Sequence, residues 1–169
     1  GNDAITITRT VVVEDTEAPV IALAGDDDIT LEADSSYSDA GATVTDNYDT
    51  GLTASVDLSS LDLSTIGVYT LTYMVSDSSG NAATPEYRTI TVVDTQAPTI
   101  TLDGNPTIDV QAGTTYVDPG STATDIYDGD LTAQVLVTGT VDTSILGAIT
   151  LSYDVSDSSN NDAPTKTRT

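Results

Sequence analysis

The residues in this chain able to do chemistry are nearly all carboxylates, and they stand in short loops. Asp46-Asn47-Tyr48-Asp49 and Asp77-Ser78-Ser79-Gly80-Asn81 are two such loops, and Asp15 precedes them in a linker. The set recurs as Asp94, then Asp125-Ile126-Tyr127-Asp128-Gly129-Asp130, then Asp157-Ser158-Ser159-Asn160-Asn161. Aspartate is short, which suits turns and the coordination of a hard cation from a loop. Ca2+ takes about 6–8 oxygens at roughly 2.3–2.6 Å, whereas Mg2+ prefers few protein ligands and many waters. The expectation is therefore two Ca2+ sites. One draws on Asp15, Asp46, Asp49, Asp77 and Asn81, the other on Asp94, Asp125, Asp128, Asp130, Asp157 and Asn161. Close carboxylates resist shared ionisation, and a divalent cation would remove that cost. Its binding would weaken as pH falls, because the ligands must be deprotonated. The plainer alternative is that these residues fill loops because turns favour them; their placement in three segments, twice over, weighs against it. Tyr48 and Tyr127 read as loop-packing residues, and Asp26-Asp27-Asp28 as a solvated turn.

Composition narrows what could surround such sites. Twenty-seven acidic residues face four basic ones, for a formal charge of −23, and 23 of the acids are Asp. No basic patch exists to neutralise phosphates, so nucleic acid is excluded as a partner. An anionic membrane surface would repel the chain unless divalent cations intervened. No apolar run approaches the roughly 20 residues of a membrane helix. The chain opens without Met or a signal peptide, which reads as a mature segment or a fragment. Low Lys with high Asp and Thr suits an exported protein. With neither His nor Cys, the common nucleophile–base pairs are unavailable. Paired carboxylates can hydrolyse glycosides, but these sit on turn loops without an aromatic sugar platform. No phosphate loop or zinc spacing appears. The expectation is that the chain is not an enzyme.

The elements that must position the carboxylates follow from an internal repeat. Arg9-Thr10-Val11-Val12-Val13-Glu14-Asp15-Thr16-Glu17-Ala18-Pro19 returns as Arg88-Thr89-Ile90-Thr91-Val92-Val93-Asp94-Thr95-Gln96-Ala97-Pro98, 79 residues later (15 to 94). Residues 1–16 match 80–95 without a gap, Gly1-Asn2 against Gly80-Asn81, and so read as the closing strand of a preceding repeat. Repeat one spans 17–94 and repeat two 95–169, with one residue inserted between Leu131 and Gly147. Strands are expected at Val20–Leu23, Ile29–Glu32, Gly41–Thr45 and Leu52–Leu58. The clearest carries Tyr69, Leu71, Tyr73 and Val75 on one face, and Ile149, Leu151, Tyr153 and Val155 match it. No helical period emerges. Short strands with Gly, Asp and Ser turns argue an all-β sandwich. All three arginines, Arg9, Arg88 and Arg168, occupy one repeat position.

Several motifs carry a resemblance: Asp-Thr-x-Ala-Pro at 15–19 and 94–98, Gly41-Ala42-Thr43-Val44-Thr45-Asp46-Asn47, Tyr116-Val117-Asp118-Pro119-Gly120 with Asp128-Gly129-Asp130-Leu131-Thr132, and Tyr73-Met74-Val75-Ser76-Asp77-Ser78-Ser79-Gly80-Asn81. The chain resembles the Ig-like tandem repeats of large bacterial surface proteins and adhesins, akin to hyaline-repeat domains. This implies two tandem Ig-like β-sandwich domains used as an extracellular, cell-surface spacer, often stiffened by Ca2+ at domain junctions. In such a sandwich the B–C and F–G loops share the pole where the chain enters. Thr65-Ile66-Gly67-Val68-Tyr69 looks like a tyrosine corner; Ile149 replaces that Tyr in repeat two, whose corner is expected to be looser.

Repeat two stops at Arg168-Thr169 and lacks the equivalent of Ile90 to Asp94, while residues 4–13 read as a closing strand without a domain. One expectation is that this strand completes repeat two of a head-to-tail neighbour, polymerising the chain by strand donation. The other is that the ends merely cut through repeats bordering adjacent Ig-like repeats. Two functions stay open: a calcium-stiffened structural segment of an adhesin or surface fibre, or a carbohydrate-binding or accessory module of a secreted multidomain enzyme. Ca2+-dependent thermal stabilisation without a glycan signal marks the first, and retention on polysaccharide the second.

Overall fold

The computed structural model describes residues 3–169, so the match of Gly1-Asn2 to Gly80-Asn81 lies outside the described residues. Two compact units divide the chain: one runs through Leu31 and over Ser35–Val92, the other comprises Glu32–Asp34 with Val93–Thr169.

In the first unit the strands are β1 (Val20–Leu23), β2 (Asp28–Glu32), β3 (Ala42–Thr45), β4 (Ser55–Val56), β5 (Gly67–Met74) and β6 (Glu86–Val93). β1 and β3 form one antiparallel sheet, Ile21 opposite Val44. The other sheet has the order β2-β6-β5-β4, with β5 and β6 antiparallel from Gly67↔Val92 to Tyr73↔Glu86. Strand period decides what is inside: Leu71 and Tyr73 on β5, Ile90 and Val92 on β6 and Ile21 on β1 are buried, and the alternate residues face outward. Of the expected strand over 52–58 only Ser55–Val56 pairs, with Met74 and Tyr73.

The second unit repeats the plan with a different division of strands between its sheets. They are β7 (Thr99–Leu102), β8 (Ser121–Asp125), β9 (Gly129–Asp130), β10 (Leu136–Thr138), β11 (Leu151–Asp154) and β12 (Lys166–Arg168), in sheets β7-β8-β9 and β10-β11-β12. A single 3-10 turn at Thr132–Gln134 interrupts them. Ile100, Ala123, Leu131, Leu151, Tyr153, Val155 and Ala163 form the core.

The tyrosine corner of the first unit is in place, with Tyr69 donating its hydroxyl to the Thr65 carbonyl at 2.9 Å. In the second unit, where Ile149 has no hydroxyl to give, the strand starts only at Leu151. At the N-terminus the structure departs from expectation. Residues 3–19 form no strand, and Ile5, Ile7, Val11 and Val13 are exposed. A strand requires a neighbouring backbone to pair with, and the described residues offer this segment none.

Candidate metal centre

Three segments converge at one pole of the first unit: the linker at Asp15, the 46–49 loop after β3 and the 77–81 loop after β5. Asp46 shapes its loop by accepting the amides of Tyr48 (2.9 Å) and Asp49 (2.7 Å) on Oδ1. Asp49 then reaches across to the second loop and accepts the Ser78 amide at 2.7 Å and the Ser78 hydroxyl at 2.8 Å on Oδ2. Within the second loop Asp77 accepts the Asn81 amide at 2.7 Å on Oδ1 and the Asn81 side-chain amide at 2.7 Å on Oδ2. Burial alone would raise the Asp77 carboxyl, but the hydrogen bonds from Asn81, Gly80 and Ser79 outweigh it and hold it below the usual carboxylate range. The Asn81 side chain also donates to the Asp15 carbonyl at 3.2 Å, which docks the linker on the loops.

The second unit is built the same way. Asp125 accepts the Tyr127 and Asp128 amides at 2.8 and 3.0 Å, and Asp128 accepts the Ser158 amide and hydroxyl at 3.1 and 3.0 Å. Asp157 holds Asn161 at 2.7 and 2.8 Å, and Asn161 donates to the Asp94 carbonyl at 3.2 Å. The loop carries the same turn on different residues: Gly80 at φ 90° becomes Asn160 at φ 67°, the left-handed conformation Asn tolerates best after Gly.

Carboxylate oxygens of Asp15, Asp49 and Asp77 lie within 4.8 Å of one another, as do those of Asp94, Asp125, Asp128 and Asp157. Asp46 is not in the first group, although its Oδ2 is buried and accepts no hydrogen bond. Asp130 stands apart: it is exposed and accepts the Thr132 amide at 2.9 Å where the 3-10 turn begins. Asn81 and Asn161 point their amide nitrogens at the linker carbonyls and position the linkers.

Three carboxylates divide their two oxygens in a telling way. Asp15 and Asp94 each accept one amide on Oδ1, from Glu17 and Gln96 at 3.2 Å, and Asp46 accepts two from its own loop. The Oδ2 atoms of Asp15, Asp46 and Asp94 are buried and accept no hydrogen bond. A buried carboxylate oxygen without a partner costs free energy, and a turn-forming role does not require it. All-oxygen donor sets that include residues with a buried, unpartnered oxygen fit a hard divalent cation.

A second polar constellation was not identified from the sequence as a unit. Arg88, fully buried, pairs with Asp39, donates to the Tyr73 hydroxyl at 2.7 Å and through Nε to the Asp26 carbonyl at 2.9 Å, and also reaches the Ala24 carbonyl. Tyr73 and Tyr37 donate to the same Asp39 oxygen at 2.6 and 2.8 Å. Arg168, Asp118, Tyr153 and Tyr116 repeat the arrangement. Desolvation and the hydrogen bond to Asp118 push the Tyr153 hydroxyl up to about 12. The readable signal was the conjunction of one Arg per repeat with Tyr37-Ser38-Asp39 and Tyr116-Val117-Asp118. The network also explains the Asp26-Asp27-Asp28 turn, which serves through its carbonyls: Asp27 accepts the Thr89 amide at 2.7 Å.

Paired sheets, a tyrosine corner and loops gathered at one pole of each unit define tandem Ig-like β-sandwiches. The chain belongs to the family described as bacterial surface protein, Ig-like domain, which matches residues 21–92 and 100–169. No curated protein matches it by sequence. Among solved structures it is similar to the lipoprotein BT2262 from Bacteroides thetaiotaomicron, at 16% identity and a TM-score of 0.37, over 88% of this chain and 98% of that one. Among the described residues no helix is long and apolar enough to cross a membrane.

Proposed function

We propose that the chain is a non-catalytic, extracellular structural segment, a spacer in an adhesin or the building block of a surface fibre, stiffened by Ca2+ at the pole of each unit. The reading rests on one observation: at corresponding positions of both units a linker aspartate with a buried, unpartnered oxygen has a carboxylate oxygen within 4.8 Å of those of the neighbouring loops. Asp15, Asp46, Asp49 and Asp77 would hold one ion, and Asp94, Asp125, Asp128 and Asp157 the other. The cation would neutralise the carboxylates and fasten each linker to its two loops. Family membership supports the surface role.

Calorimetry of the chelated protein titrated with Ca2+ tests this. The expected result is about two equivalents bound and a rise in melting temperature, because a ligand held only by the folded state stabilises it. No heat and an unchanged melting temperature at millimolar Ca2+ would remove the basis for the stiffening role.

A further inference from the structure

The first unit is built so that a pull on its two linkers meets a sheared pair of strands. β2 and β6 are neighbours in one sheet. At one end Thr89 donates to the Asp27 carbonyl, and at the other Ala33 donates to the Val93 carbonyl, both at 2.7 Å. The two strands therefore run parallel. Tension toward the preceding linker draws β2 back by its first residue, through β1 and the 24–27 turn. Tension toward the following linker draws β6 forward by its last residue. Parallel neighbours pulled this way must slide past each other, and their evenly spaced ladder bonds share the load rather than opening one at a time.

Arg88 adds a cross-tie where that load first arrives. It is the third residue of β6 and is wholly buried. Its Nε donates to the Asp26 carbonyl at 2.9 Å, and its fork also reaches the Ala24 carbonyl. With the Thr89 amide on Asp27, two consecutive residues of β6 hold three carbonyls of the turn that leads into β2. The same guanidinium pairs with Asp39 and donates to the Tyr73 hydroxyl of β5 at 2.7 Å. Well-packed apolar side chains often match a buried ion pair for stability, so stability alone does not call for an arginine. A rigid fork of five donors can bind several segments at once, which an apolar side chain cannot.

We propose that Arg88 is a load-bearing tie, which couples the turn ahead of β2 to β6 so that the first unit resists extension along its strands. Tension then passes from linker to linker through the β2–β6 pair, and the antiparallel sheet of β1 and β3 is relieved of it beyond the turn. The inference rests on the reading of the chain as a structural segment, and it concerns a property that needs no metal.

Single-molecule pulling on the full chain in chelator tests it. The chain has no cysteine, so paired thiols introduced at exposed positions set where force is applied. Glu17→Cys with Gln96→Cys loads the linkers ahead of β1 and after β6. Glu17→Cys with Ser79→Cys puts both handles near the pole where Asn81 holds the Asp15 carbonyl, and peels the unit open from one end. The first pair should unfold at a several-fold higher force than the second. Forced unfolding reports the unfolding rate. Arg88→Lys keeps the charge but loses the fork, and should raise that rate at constant force by about tenfold in the first geometry and little in the second. Leu71→Ala, fully buried on β5 and off the loaded pair, should lower urea stability at least as much while raising the rate less. Equal forces in the two geometries overturn the proposal. So does a loss of load resistance that only tracks the loss of urea stability across both variants. The comparison of geometries uses no core substitution, so it decides the matter even where a variant fails to fold. Absence of Ca2+ binding in calorimetry would refute the metal reading and leave these outcomes untouched.

Discussion

Each unit has one guanidinium holding together groups that are distant in sequence. Arg88 joins Asp39 on the chain before β3, Tyr73 on β5 and the carbonyls of the turn before β2. Removing one partner of a buried pair leaves the other charge uncompensated, which costs roughly 3–5 kcal/mol. Arg88→Met should therefore destabilise the first unit by about that amount, read by urea denaturation, and Arg168→Met should act likewise on the second. The same network predicts acid behaviour. Burial by itself would raise Asp39, but hydrogen bonds from Tyr73 and Tyr37 and the Arg88 charge together hold it below the usual carboxylate range, and Asp118 is lowered for matching reasons. A carboxyl depressed by folding contributes stability that is fully present above its unfolded pKa of about 3.9. That contribution is lost as pH falls through the lower folded value. In chelated protein the melting temperature should thus drop below about pH 4, and Asp39→Asn should flatten the first unit's part of that drop. If the wild type and Asp39→Asn fall in parallel, the pair is not what acid breaks.

At the scale of elements, the two units share a plan but not a depth of pairing. β5 has eight residues, whereas its counterpart β11 has four, and the tyrosine corner of the first unit has no counterpart at Ile149. Fewer ladder bonds mean lower stability. Scanning calorimetry of the chelated protein should resolve two transitions, and hydrogen exchange should show residues 107–111 and 147–150 exchanging fastest within their unit. Tyr69→Phe should lower only the upper transition, by about 1 kcal/mol for one hydrogen bond. A single cooperative transition would contradict this ordering.

For the whole molecule, charge is the dominant variable. A formal charge of −23 on 169 residues opposes the compact state through self-repulsion, and the pole carboxylates concentrate part of it. Ca2+ should therefore stabilise more than an equal ionic strength of Na+. At 100 times its dissociation constant a bound ligand contributes about 2.7 kcal/mol. Asp94→Asn should reduce the titrated stoichiometry from about two to one, and Asp15→Asn should do the same through the other unit; the combined variant should bind none. Unchanged stoichiometry in both single variants would show that the linker carboxylates are not ligands.

The all-β class, the tandem plan and the segments that carry carboxylates were determined by the chain itself, because strand period, turn chemistry and a repeat are local properties that a linear string displays. The Asp15, Asp49 and Asp77 grouping agrees with loops placed at one pole, and the position of Asp94 with a linker that enters there. What only the tertiary structure decided depends on which oxygen faces where. Asp130 and Asp128 are two residues apart, yet one accepts the Thr132 amide at the surface and the other groups with Asp157. The Arg88–Asp39–Tyr73 network spans 49 residues between its charged partners, a separation no window of sequence bridges. The N-terminal segment shows the limit most plainly: its pattern is that of a strand, but strand is a property of two backbones, and pattern supplies only one.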